Sequence, residues 1–250
     1  MNIDSFAPNL FTGKTAYVSG GTSGIGLAIA TAFARLGAIV TASGSSSAKV
    51  AALTAEPPIS GMHFVQLDVT NRRAAEKAFE GMQQLDILVN AAGIARPDKE
   101  YEAETFQEVM DVNLNSVMWL SSAAKPLLAV RGGNIINTAS MLSYLTDIAV
   151  PAYGASKAGV LGLTRHLAHA WAAEGIRVNA VTPGYIATAM TTGLQEDSHL
   201  TGRILNRCAI ERWGTPDDVV GAALFLASPA AAYITATDIA VDGGFVSGGF

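Results

Sequence analysis

Short apolar runs alternate with helical stretches from one end of this 250-residue chain to the other, and no segment longer than a loop separates them. The spacing predicts strands over 15–19, 39–43, 62–67, 86–90, 134–139, 177–182 and 238–241. Several are β-branched runs without polar alternation, as expected when helices cover both faces of a parallel sheet. Helices are predicted over 24–36, 72–82, 104–130, 153–174 and 216–226. In the first of these, Ile25, Ile29, Ala32, Phe33 and Leu36 fall at helical spacing, so one face can lie on the sheet. Strand and helix alternating in this way predict an α/β fold, a doubly wound parallel sheet with right-handed crossovers, as a single domain over 1–250.

Half of the residues are hydrophobic and a further 25 are glycine, against 15% charged. That balance excludes disorder, which needs low hydrophobicity and high charge. A net charge of −5 without a dense Lys/Arg run excludes nucleic acid or an anionic membrane surface as the main partner. Cys208 stands alone, so no internal disulfide forms, and residues 1–12 lack the basic start and apolar stretch of a secretory signal. The uncharged stretch 219–237 has the length of a membrane span, but Ser228 and Pro229 break it. It reads as a buried helix, a turn and the lead into a strand, in a cytoplasmic protein. Residues 43–47 read as a flexible turn, and 189–212, where apolar periodicity weakens, as a substrate lid.

The first strand–helix junction, Ser19-Gly-Gly-Thr-Ser-Gly-Ile-Gly26, has glycines at 20, 24 and 26. Glycine permits the tight turn and lets backbone N–H groups, here those around Thr22, Ser23 and Ile25, approach a pyrophosphate favoured by the helix's positive end. Tyr153 and Lys157 are four apart and share one helix face, where an ammonium beside a phenol is expected to lower its pKa. Ser140 ends the strand 134–139 on the side where open α/β sheets hold ligands, so its hydroxyl can bond a substrate oxygen.

Together these pieces resemble the short-chain dehydrogenase/reductase family over essentially the whole chain, in the branch of 3-oxoacyl reductases and sugar or polyol dehydrogenases. The matching motifs, in the family's order, are Gly20, Gly24 and Gly26; Leu67-Asp68-Val69; Asn90-Ala-Ala-Gly93; Asn113; Ser140; Tyr153 with Lys157; Pro183-Gly184 followed by Thr188; and Asp242-Gly-Gly244. The resemblance implies a Rossmann-type fold and an NAD(P)-dependent oxidoreductase that interconverts a carbonyl and a secondary alcohol. It implies a catalytic tetrad of Asn113, Ser140, Tyr153 and Lys157, with Tyr153 as general acid/base and Lys157 also on the nicotinamide ribose. Asp68 and Val69 would contact adenine, and Asn90, Ala91 and Gly93 would pass the adenosine ribose. Pro183, Gly184, Ile186 and Thr188 would border the nicotinamide. Asn90 and Asn113 have an alternative as amides that satisfy backbone groups. Asp86 opens its strand away from the ligand end and fits a structural role. No cluster supports a metal site: His166 and His169 share a helix without further ligands.

The segment Ala42-Ser-Gly-Ser-Ser46 lacks the acid that NAD enzymes place near Ser43. Ser43, Ser45 and Ser46, with Lys49 nearby, suit a 2′-phosphate, although Ser23 stands where many NADP members carry a base. NADP(H) is the favoured cofactor and NAD(H) the alternative. Ala95, Arg96, Met141, Leu142, Tyr144, Val150 and Tyr185 are candidate substrate contacts, and the substrate is expected to be a small ketone, sugar or polyol. The alternatives are 3-oxoacyl reduction on acyl carrier protein, for which Arg131 has the right charge and Glu174 the wrong one, and a non-catalytic nucleotide-binding protein. The family commonly forms tetramers through the helices carrying Asn113 and Tyr153. Val109, Met110, Met118, Trp119, Val160, Leu163, Leu167 and Trp171 on these helices, together with the terminal Phe250, are therefore candidates for a homotetramer contact. Ala236 stands where the family usually has glycine.

Overall fold

The computed structural model describes residues 3–248. Seven strands form one all-parallel sheet: β1 (Thr15–Ser19), β2 (Ile39–Gly44), β3 (Met62–Gln66), β4 (Ile87–Asn90), β5 (Asn134–Thr138), β6 (Arg177–Pro183) and β7 (Asp238–Val241). Their order across the sheet is β3-β2-β1-β4-β5-β6-β7. Chain direction across the sheet therefore reverses between β1 and β4, and a crevice opens there at the carboxyl ends. The helices are α1 (Gly24–Arg35), α2 (Ser47–Ala55), α3 (Arg72–Glu76), α4 (Ala103–Met110), α5 (Ser116–Ala129), α6 (Pro151–Trp171), α7 (Thr192–Glu196), α8 (Ser198–Arg207) and α9 (Pro216–Ala227).

Successive strand residues point to opposite faces, and the core divides accordingly. Ala16 and Val18 of β1, with Ile87 and Val89 of β4, pack against Ile29 and Phe33 of α1 and Val220 and Leu224 of α9. Tyr17 and Leu88 pack on the other side with Leu120 and Leu128 of α5 and Leu167 of α6. Burying one such Phe or Leu contributes about 1.5–3 kcal/mol, so this two-sided arrangement accounts for the unbroken apolar strands.

Several elements differ from the sequence expectation. The helix expected over 72–82 stops at Glu76 and continues as turns through Gly81, whose φ is +83°. The helix expected over 104–130 is interrupted at Asp111–Asn115 by a wider π turn, which swings Asn113 inward. The serine-rich stretch 43–47 is not a flexible turn: Ser43 and Gly44 complete β2, and Ser46 caps α2, its hydroxyl accepting from Lys49 N at 3.3 Å. Segment 189–212 contains α7 and α8. Val109, Val160, Leu167 and Trp171 are buried within the protomer, because their helix faces lie on the sheet or on each other, while Met118 is exposed. Phe250 lies outside the described residues. Ala236 adopts a φ of +64°, the left-handed region that glycine would occupy, and its N–H donates to Val178 O at 2.9 Å. Among the described residues no helix is long and apolar enough to cross a membrane, and no group of side chains has a metal-binding arrangement.

Candidate active site

The loops leaving the carboxyl ends of the sheet enclose a cavity of about 560 Å³. Gly20, at the end of β1, has a φ of +73°, and a Cβ there would lie 2.5 Å from Ala92 N, so only glycine lets this loop close against the segment after β4. Ser23 precedes α1 in extended conformation, with no side-chain cap and no acidic residue in the first turn. The first-turn N–H groups thus lack intrahelical acceptors and carry the helix's positive end into the cavity. Gly20, Thr22, Ser23, Gly24, Ile25 and Gly26 all line it.

Around the rim follow Gly44, Ser45, Ser46 and Lys49 from the β2–α2 junction, then Asp68 and Val69 after β3. Asp68 is turned back on its own loop, accepting from Thr70 N at 2.9 Å and Thr70 Oγ1 at 2.7 Å. Ala91 and Gly93 continue the wall after β4, and Pro183, Gly184, Ile186 and Thr188 close it after β6. These features fit a dinucleotide: a glycine-rich loop with only small side chains, open helix amides, a cation at one rim, and an unpartnered buried hydroxyl on Thr138, a residue of the cavity lining.

Ser140, Tyr153 and Lys157 meet at the inner end of this cavity. Ser140 leaves β5 extended, and its Oγ accepts from Leu142 N at 3.2 Å. Pro151 starts α6 with its fixed φ, which sets Tyr153 in the first turn and Lys157 one turn on. Lys157 Nζ donates to Thr138 O at 2.7 Å and stands 5.6 Å from the centre of the Tyr153 ring. Burial pushes the lysine's pKa down from 10.5 to about 8. The Tyr153 phenol is not lowered, contrary to the expectation from its spacing. Burial pushes it up, the negative Glu100 adds to that, and the Ser140 side chain pulls it back only in part. The physical reason is that the ammonium donates to the Thr138 carbonyl while the phenol loses water.

Three of the catalytic and cofactor-contact residues named from the sequence do not open onto the cavity, nor do the substrate candidates Ala95, Met141, Leu142, Tyr144, Val150 and Tyr185. Ser43 is fully buried, with its carbonyl accepting from Gly21 N at 2.8 Å, so Gly44 rather than Ser43 forms the rim. Asn90 Nδ2 donates to Asn137 Oδ1 at 2.9 Å and to Ser121 Oγ at 3.2 Å, tying β4 to β5 and α5. Asn113 brackets Ile94, with Oδ1 accepting from its N–H at 2.8 Å and Nδ2 donating to its carbonyl at 2.9 Å and to Ser156 Oγ at 3.1 Å. Asn90 and Asn113 act one layer behind the surface. Of the candidate substrate contacts, Arg96 lines the cavity, where its Nη2 meets Glu108 Oε1 at 2.8 Å. Tyr144 instead donates to Asp238 Oδ1 at 2.7 Å.

Glu108 and Val112 line the cavity without having been singled out in the sequence. They lie four residues apart, a helix-face signal that the long apolar pattern of 104–130 obscures. At the opposite end of the sheet, Asp86 accepts from Thr15 N at 2.9 Å and pairs with Arg131 at 2.6 Å and Lys14 at 3.2 Å. Glu174 pairs with Lys125 at 2.7 Å. Arg131 is therefore held by Asp86, which offsets its charge.

Comparison with known proteins gives consistent relatives. Residues 18–246 match the family described as enoyl-(acyl carrier protein) reductase. The 2-dehydro-3-deoxy-D-gluconate 5-dehydrogenase of Bacillus subtilis (strain 168) is 44% identical over 243 residues, covering 94% of this chain and 95% of that protein. The galactitol 2-dehydrogenase (L-tagatose-forming) of Cereibacter sphaeroides is 39% identical over 241 residues, covering 93% and 95%. The crystal structure of a gluconate 5-dehydrogenase from Burkholderia cenocepacia J2315 in complex with NADP and tartrate superposes with a TM-score of 0.87 at 32% identity, covering 95% of this chain and 97% of that one.

Proposed function

Since the chain belongs to the short-chain dehydrogenase/reductase family, we propose that it interconverts a secondary alcohol and a carbonyl on a sugar acid or polyol, with NADP(H) as the cofactor. The observation that carries this reading is the convergence of Ser140, Tyr153 and Lys157 on the same cavity as the glycine loop and the open end of α1. A nicotinamide bound there supplies the hydride chemistry. Ser140 Oγ accepts from Leu142 N and its hydroxyl meets the Tyr153 phenol, so the two hydroxyls stand together to bond the substrate oxygen. Tyr153 gives its proton to that oxygen in reduction and takes it back in oxidation. Lys157 Nζ spends one of its three donors on Thr138 O, leaving two for ribose hydroxyls. Asn113 fixes Ile94 and, through Ser156, the backbone of α6, since Ser156 Oγ donates to Tyr153 O at 2.7 Å.

Lys49 and Ser46 at the cavity rim, with no carboxylate at the end of β2, support the choice of NADP(H) over NAD(H). Arg96 and Glu108, paired on the wall beyond Gly93, support a polar, hydroxyl-bearing substrate, because they offer a donor and an acceptor side by side. Segment 189–212 is read as the lid over this end, and the chain as one catalytic unit. The same reading takes the protein as a homotetramer, supported by the exposed Phe106 and Met118 on α4 and α5; sedimentation at micromolar concentration tests it, and a monomer overturns it. Docking of an acyl carrier protein has less support, since Arg131 and Lys125 both pair with acids.

The test is a rate survey with NADPH and NADH against sugar acids, polyols, ketones and a 3-oxoacyl thioester. Turnover of hydroxy acids or polyols is expected, with Tyr153→Phe lowering kcat by about 10²–10⁴-fold while cofactor binding persists. Preference for the thioester, or activity surviving Tyr153→Phe, sinks the reading.

A further inference from the structure

Glu100 is a fully buried carboxylate on the segment between β4 and α4, and none of the motifs that mark the site includes it. Burying an ionised carboxylate is costly unless donors compensate it. Among the described residues it makes no ion pair; both oxygens are instead filled by backbone amides. Oε1 accepts from Arg96 N at 2.9 Å, and Oε2 accepts from Tyr153 N at 2.8 Å. The second donor is a first-turn amide of α6, where the helix dipole favours a negative charge. Two further bonds run between the same segments: Asp98 N donates to Ala149 O at 2.8 Å, and Tyr101 Oη to Ile148 O at 2.9 Å. The stretch 96–101 is thereby stitched to the stretch that leads into Tyr153.

We propose that Glu100 is a positioning residue that locks the cavity-wall residue Arg96 and the start of α6 into one register, fixing Tyr153 relative to the substrate held at that wall. This rests on Tyr153 being the proton donor. The carboxylate also adds negative charge near the phenol and so resists its ionisation. The titratable groups facing Tyr153 are Lys157 on its own helix and Glu100 from the packed segment; Ser140 adds a neutral hydroxyl, and the Arg96 guanidinium is turned to Glu108.

The test compares Glu100→Gln and Glu100→Asp with the wild-type enzyme, reading NADPH affinity by tryptophan fluorescence, kcat and KM for the preferred alcohol, and the pH profile of oxidation. Glu100→Gln is expected to lower kcat by about 10- to 100-fold through misplacement of the phenol, with NADPH affinity unchanged. Oxidation needs the phenolate, so removing a neighbouring negative charge should move its alkaline rise to lower pH. Glu100→Asp keeps the charge but is one methylene short, and should lower kcat without moving the profile. Glu100→Gln with an unchanged kcat and an unchanged profile overturns the proposal. If Glu100→Gln does not fold, Glu100→Asp decides: a wild-type kcat overturns the proposal, and a lowered kcat on an unmoved profile supports it. Tyr153→Phe, assayed alongside, keeps the two readings apart, because activity surviving in it fails the proton-donor assignment whatever Glu100 does.

Discussion

Lys157 shows at a single residue how the site spends stability on function. An ammonium enclosed by protein loses hydration that one carbonyl, Thr138 O, only partly replaces. Its folded value of about 8 lies below the 10.5 of an unfolded lysine, so between these the unfolded chain holds a proton that the folded chain has shed. Stability from this group is therefore full above the unfolded value and is lost as pH falls through about 8. The swing is at most roughly 3 kcal/mol. Urea unfolding of the cofactor-free protein checks it: the difference between wild type and Lys157→Met should grow in favour of wild type from pH 8 to pH 10. A flat difference means that the ammonium keeps its water. At neutral pH the cation persists because its folded value of about 8 still lies above 7, and two of its donors remain for ribose hydroxyls.

Asp86 does for the elements at the far end of the sheet what Glu100 does beside Tyr153. One carboxylate joins the start of β1, through Thr15 N, to Arg131 after α5 and Lys14 before β1. Burial pushes its carboxyl up, but these donors outweigh it and hold it below the ordinary carboxylate value. Asp86→Asn should cost about 1–3 kcal/mol in urea unfolding at neutral pH. The lower end is favoured because Lys14 and Arg131 are nearly half exposed and regain water. The contribution is present above the unfolded carboxylate value and lost as pH falls through the folded one, so the gap between wild type and variant should close in acid. Cofactor affinity should not change, since Asp86 lies at the opposite end of β4 from Asn90; a weakened affinity would mean that this end of the sheet controls the site.

This structural role for Asp86 was legible in the sequence because it follows from strand direction alone, and the seven strands were legible for the same kind of reason. Periodicity reports which residues are apolar and how far apart they lie. It could not find α2, which has no fully buried residue, packs only Val50 and Leu53 partly on the core and starts at the Ser46 cap, nor the π turn at Asp111–Asn115, which changes helix phase without breaking apolar spacing. In the site, Gly20, Ser140, Tyr153 and Lys157 were readable because their chemistry is local to a turn or a helix face. Ser43 was misplaced by a single strand residue, which reverses the direction of the side chain. Glu100 gave no local signal, because its partners lie at Arg96 and Tyr153 and only the fold brings them together.

In the molecule as a whole, the reversal of strand order between β1 and β4 opens one crevice that receives loops from both halves of the sheet. A ligand spanning it joins β1, β2, β4, β5 and β6 through contacts absent in the unfolded chain, so its binding energy becomes folding energy. At a hundredfold excess over Kd this is about 2.7 kcal/mol. For a chain of this size each kcal/mol moves Tm by roughly 2–4 °C, which predicts a rise of about 5–10 °C with NADP⁺. The 2′-phosphate would meet Ser45, Ser46 and Lys49 at the β2–α2 junction. A charge-assisted bond there contributes about 1.5–3 kcal/mol, equivalent to a Kd some 10- to 100-fold weaker for NAD⁺. Thermal unfolding at equal concentrations should therefore show a smaller shift with NAD⁺, and Lys49→Ala should bring the NADP⁺ shift down towards it while leaving the NAD⁺ shift in place. Equal shifts in the wild-type protein would remove the phosphate from the β2–α2 rim and with it the preference for NADP(H), whereas a loss of both shifts in Lys49→Ala would make the lysine part of a site common to both dinucleotides.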